Sequence, residues 1–160
     1  MPTDNFDPDV NIPLGDGLRI PISTPFQLTA VATDPNPDDT LTYCFEQYDL
    51  GPISPLGSPI GNAPAFRSYL PTANPTRIFP RIQTIVSNNS FKTEVLPTYA
   101  RDLTFRCTVR DSKWGGGGTV WDEIAFESVE SAGPFLVEYP NDFATLEVGE
   151  YVEVTWDVAN

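Results

Sequence analysis

The chain has no histidine. Ser-His-Asp and Cys-His nucleophile mechanisms, the HExxH zinc-protease helix and most catalytic zinc sites need imidazole, so all of these are excluded. Two cysteines, Cys44 and Cys107, do not make a thiolate zinc site. Positive charge is also scarce: nine Lys and Arg stand against 22 Asp and Glu, a formal charge of −13. Such a surface repels phosphate backbones and anionic lipids within about a Debye length. Nucleic acid and membrane surfaces are therefore poor partners, and divalent cations are good ones. Surplus Asp and Glu also serve plain solubility. No apolar run approaches the roughly 18 residues of a membrane span. The opening MPTDNFDPDV has neither the basic nor the apolar stretch of a secretion leader, which is expected upstream in a longer parent. Carboxylates abound, but no cleft signal accompanies them, so a paired-carboxylate glycosidase is disfavoured and no enzyme activity is expected.

What is present points to strands. The chain is 40% hydrophobic and 12% aromatic, enough for a packed core, while 17 prolines and 11 glycines spread along its 160 residues break helical patterns. Between them, apolar residues recur with period two, which predicts an all-β sandwich. Pro25 to Thr33 reads as a strand with Phe26, Leu28, Ala30 and Ala32 on one face. Leu41 to Gln47 reads as a second, with Leu41, Tyr43 and Phe45 facing inward. Leu103, Phe105, Cys107 and Val109 mark a third, and Val120, Ile124 and Phe126 a fourth that ends near Glu130. The proline-rich stretch from Asp49 to Pro97 cannot be central sheet. It is expected to lie across one side of the sandwich, with a short strand at Arg77 to Phe79 and a helical turn at Ile82 to Ser87.

These patterns divide the chain into an N-terminal arm (1–17), a β-sandwich (18–130), a linker (131–133) and the first strands of a second sandwich (134–160). In the last segment Phe135 and Val137, Leu146 and Val148, and Val152, Val154, Trp156 and Val158 alternate. They are too few to bury their own apolar face, so this piece needs the rest of a domain or another chain to complete it.

The segment Asp34 to Asp39, DPNPDD, offers oxygen ligands at Asp34, Asn36, Asp38 and Asp39 in the turn between two strands. Calcium takes six to eight oxygens from flexible loops. In a sandwich with Greek-key connectivity the loop that begins at Asp111 lies at the same end, so Asp111 is expected to join them. Four converging carboxylates repel one another unless a cation neutralises them. The same residues are also good turn formers without any ion. Asp4, Asp7 and Asp9 either add ligands or form a solvated arm, and the arm is preferred. Trp114 and Trp121 flank the glycines Gly115 to Gly118; they form either a hairpin connection or a binding tip for glycan or peptide. If Phe45 faces inward, Cys44 faces out while Cys107 faces in, so no disulfide is expected between them. Asn88 to Ser90 and Asp39 to Leu41 match short glycosylation patterns that arise often by chance.

Several stretches, IPISTPFQLTAVATDPNPDDTLTYCFEQYD, FRSYLPTANPTRIFP, EVLPTYARDLTFRCTVRD and AGPFLVEYP, together with the closing VTWDVAN, carry a resemblance. Over roughly residues 18–160 the chain resembles the immunoglobulin-like or cadherin-like accessory module that follows the catalytic domain in secreted reprolysin-like metalloproteases of Gram-negative bacteria. The resemblance implies an immunoglobulin/cadherin-like Greek-key sandwich, an extracellular or cell-surface location, neighbouring domains of one parent chain as partners, and a second immunoglobulin-like domain starting near Gly133. It implies an adhesion or spacer role without protease activity, since the zinc-binding helix has no counterpart here. That module commonly carries Trp where Phe45 stands and a cysteine near Thr119, and this chain has neither.

Overall fold

A computed structural model describes residues 4–14, 17–141 and 144–158. Its strands are β1 (Asp9–Asn11), β2 (Arg19–Pro21), β3 (Phe26–Thr29), β4 (Val31–Thr33), β5 (Thr42–Gln47), β6 (Thr76–Phe79), β7 (Arg101–Arg110), β8 (Thr119–Val129), β9 (Leu136–Tyr139) and β10 (Thr155–Asp157). A short helix, α1 (Ile82–Val86), follows β6. The protein is thus nearly all-β, built as several sheets. A four-stranded sheet in the order β2-β8-β7-β5 is faced by the smaller pairs β3-β6 and β1-β4, and β9 pairs with β10 separately. The β2–β8 pair is parallel and the others are antiparallel.

The period-two reading of β7 holds residue by residue: Leu103, Phe105, Cys107 and Val109 are all completely buried. Across from them lie Leu28 of β3 and Phe79 of β6, also buried. Phenylalanines join the layers. Phe79 meets Phe105 at 4.7 Å and stacks on Phe26 at 4.9 Å, while Phe105 stacks on Phe126 at 5.9 Å. Burial of each such ring stabilises the fold by roughly 1.5–3 kcal/mol, with edge-to-face contacts adding to it.

Three expectations change. First, Pro25 to Thr33 is not one strand: β3 pairs with β6, β4 pairs with β1, and Ala30 between them donates its N–H to Pro75 O at 3.0 Å. The buried face is as expected, but the chain changes partner at this small residue. Second, the segment read as an arm belongs in large part to the sandwich. It supplies β1; Ile12 is buried, its N–H bonded to Asp122 at 2.8 Å, and Val10 and Leu14 pack on the core. Residues 1–3 and 15–16 of that arm lie outside the described residues. Third, the C-terminal strands are shorter than the alternation suggests: Leu146 to Val148 forms none, and Val152 to Val158 shrinks to β10. Period-two pattern without a surface to pack on does not hold a strand, and Leu136, Val137, Val148, Tyr151 and Trp156 remain exposed. Residues 142–143 and 159–160 of this segment are not among the described ones.

The proline-rich segment lies where it was expected. Thr72 exchanges two backbone hydrogen bonds with Tyr43 at the edge of β5, and β6 and α1 fall at the expected places. Two buried carboxylates anchor it. Asp49 holds Arg101 at 3.4 Å and takes the Thr104 N–H at 3.0 Å, and Glu94 holds Arg77 at 3.1 Å and Arg81 at 3.3 Å. At the linker, Gly133 has φ +117°, and a Cβ there would come within 2.7 Å of Ile22 O, so only glycine fits.

The cysteines follow their parity. Cys107 points into the core and Cys44 away from it, where the Tyr69 carbonyl covers the Cys44 thiol at 3.3 Å, and both are free thiols. Burial, with Cys44 and Asp122 adding to it, pushes the Cys107 thiol up to about 12. A folded thiol that keeps its proton while the unfolded one ionises near 9 costs stability as pH rises from about 9 to about 12. Native protein is therefore expected to show no reaction of Cys107 with a disulfide reagent at pH 8, and full reaction in denaturant. Rapid native labelling of Cys107 would contradict its place in the core.

Candidate metal centre

Two loops meet because β5 and β7 are in register. Thr42 opposes Arg110, so the turn before β5 and the loop leaving β7 emerge at one end of the sheet. Asp34 follows β4, Asp39 closes the turn, and Asp111 is the first residue after β7. One carboxylate oxygen from each of Asp34, Asp39 and Asp111 lies within 4.8 Å of the others. Three points no farther apart than 4.8 Å fit round a centre at most about 2.8 Å away, close to the roughly 2.3–2.6 Å of calcium–oxygen bonds.

Local chemistry sets each side chain. Asp34 Oδ1 accepts the Asn36 N–H at 2.7 Å in an Asx turn, and the Asp39 N–H bonds Asn36 O at 3.1 Å. Asp111 is only 2% exposed, and its carboxylate takes the Gly118 N–H at 2.9 Å, the Lys113 N–H at 3.1 Å and the Asn5 Nδ2–H at 2.6 Å. Burial alone would raise its pKa. The Asn5 amide, the Gly118 and Lys113 N–H groups and the Lys113 charge outweigh that and hold it below the usual carboxylate value. Lys113 bonds Asp39 Oδ1 at 2.5 Å, and this hydrogen bond keeps the ammonium protonated above its ordinary range.

These contacts leave several acceptor oxygens over. Asp34 Oδ2, Asp39 Oδ2 and Asn5 Oδ1 are buried oxygens with no hydrogen-bond partner among the described residues. The Asp39 side chain is 5% exposed. A buried carboxylate oxygen without a donor is costly, and these three are acceptors with nothing to accept. The donor set is oxygen throughout, which suits a hard cation and not a soft one.

The expected residues divide. Asp34, Asp39 and Asp111 converge. Asn36 instead fastens the N-terminal segment, its Oδ1 accepting the Phe6 N–H at 2.9 Å and its Nδ2 donating to Asp4 O at 3.2 Å. Asp38 is exposed and outside the triad. Asn5 lies outside the expected set, and Asp7, for which a solvated arm is preferred over an added ligand on sequence, has its Oδ1 against Gly118 beside Asp111; a Cβ on Gly118 would meet both side chains. The period-two spacing of Asn5, Asp7 and Asp9 is the available signal, since it repeats the turn chemistry of the DPNPDD segment.

Trp114 and Trp121 stand in different settings. Trp114 is completely exposed in the glycine loop, whereas Trp121 lies on β8 with Arg106 over its ring at 4.1 Å. Arg106 is sandwiched by Tyr48 at 3.8 Å on its other side and bonded to Glu123 at 2.6 Å. No protein-family model, curated protein or solved structure matches this chain.

Proposed function

We propose that this chain is a non-catalytic accessory module of a secreted or cell-surface bacterial protein, an immunoglobulin/cadherin-like sandwich whose N-terminal segment and loops are locked by one calcium ion. The observation that carries this reading is the set of partnerless buried oxygens on Asp34, Asp39 and Asn5 next to Asp111. They come from segments far apart in sequence, so an ion among them cross-links the chain's start, the β4–β5 turn and the loop after β7. Calcium would take over from the Lys113 ammonium at Asp39. Such a brace suits a spacer or adhesion module, which must resist unfolding and does not need to move during a reaction. Its nearest partner would be an adjoining domain of the same parent, covering the apolar side chains of β9 and β10.

Melting of the whole chain in millimolar calcium and in EDTA tests this. A ligand at a hundredfold excess over its Kd stabilises by about 2.7 kcal/mol, or roughly 5–10 °C for a chain of this length. Asp39→Asn is expected to abolish the difference. Identical melting curves with and without calcium would overturn the calcium brace.

A further inference from the structure

Basic side chains are few, yet the guanidiniums of Arg67, Arg77 and Arg81 all lie over one ring, that of Tyr69, at 5.2, 4.8 and 4.7 Å. Among the described residues the carboxylate paired with them is that of Glu94. Glu46 acts on the neighbouring Cys44, so two negative charges stand against the three guanidiniums and still leave a positive locus in a chain of net charge −13. Arg77 is fixed: it donates to Phe45 O and to Arg67 O, each at 2.7 Å, as well as to Glu94, and its side chain is only 13% exposed. Arg81 is different. It engages Glu94 through Nε, its side chain is 45% exposed, and no hydrogen bond of its Nη groups is found among the described residues.

Arg77 and Arg81 line a cavity of about 390 Å³ between the edge of β5, the segment carrying Leu70 and Thr72, and α1. That volume is in the range of small-molecule sites, roughly 300–1,000 Å³. Leu70, Ile78 and Ile82 give it apolar walls. A planar guanidinium fork matches a planar carboxylate, and a single accessible fork, with no lysine in the lining, suits a monovalent head group better than phosphate. Glu94 already bridges the same two arginines with one carboxylate, taking Arg77 Nη2 on one oxygen and Arg81 Nε on the other.

We propose that this cavity binds a small organic carboxylate, its head group on Arg81 with Arg77 as the second positive charge, and its body against Leu70 and Ile78. The test is amide NMR of the whole chain titrated with benzoate, galacturonate and phosphate at constant ionic strength. At least one carboxylate is expected to shift the amides of residues 69–83, and Arg81→Gln is expected to weaken it about tenfold. Arg81→Lys, which keeps the charge without the fork, should fall between. The side chain of Arg81 is half exposed, so these variants are expected to fold, which their melting curves check. Spectra unmoved by both carboxylates, shifts produced by phosphate alone, or unchanged affinity in Arg81→Gln would each overturn the assignment.

Discussion

Glu94→Ala is expected to destabilise the protein by about 3–5 kcal/mol, the usual consequence of stranding one partner of a buried ion pair. The Glu94 side chain is 0% exposed and receives Arg77 Nη2, Arg81 Nε and the Arg81 backbone N–H. Burial pulls the Arg77 guanidinium below its ordinary pKa, and Glu94 is the main group holding it charged. Without the carboxylate, Arg77 stays pinned by the carbonyls of Phe45 and Arg67 with its charge uncompensated. The same residue ties the proline-rich segment together, bridging Phe66 on one side and β6 on the other. Urea unfolding measures the effect: the midpoint should fall sharply, with Glu94→Gln intermediate because the shape survives and the charge does not. A loss below about 1 kcal/mol would mean that this pair does not hold the segment down.

Asp111→Ala is expected to cost about 2–4 kcal/mol in EDTA and, in addition, to remove any response to calcium. Its carboxylate is the acceptor for Gly118, Lys113 and Asn5, so alanine leaves buried donors unpaired and unfastens the glycine loop and the N-terminal segment together. Asp38→Ala is the control. Asp38 is exposed and outside the triad, and its loss should stay within about 0.5 kcal/mol and leave the calcium response in place. Equal effects from both substitutions would show that general acidity, and not this geometry, matters.

The sandwich-like core was legible because its signal is local. Strict alternation at Leu103, Phe105, Cys107 and Val109 names a face whatever the partner strand is, and the same parity separated Cys44 from Cys107. The switch of sheets at Ala30 was not legible, because it depends on which neighbours, β6 or β1, each half of the segment finds. Val10, Ile12 and Leu14 do alternate, but the acidic residues around them read more strongly as a solvated arm. In the site, the convergence of Asp34, Asp39 and Asp111 follows from which strand ends face the same way. The part played by Asn5 does not, since its contact with Asp111 spans most of the sandwich sequence and no turn rule encodes it. Within the turn itself, sequence offered Asn36 and Asp38 as equal to their neighbours, and only the backbone course separates a converging carboxylate from a fastener or a solvated charge.

The most direct test of the calcium brace is a calorimetric titration of the intact, metal-stripped chain with calcium chloride. One ion bound per chain, with binding lost in Asp39→Asn and kept in Asp38→Ala, is the predicted result. No heat of binding, or several weak ions bound regardless of either substitution, would contradict it.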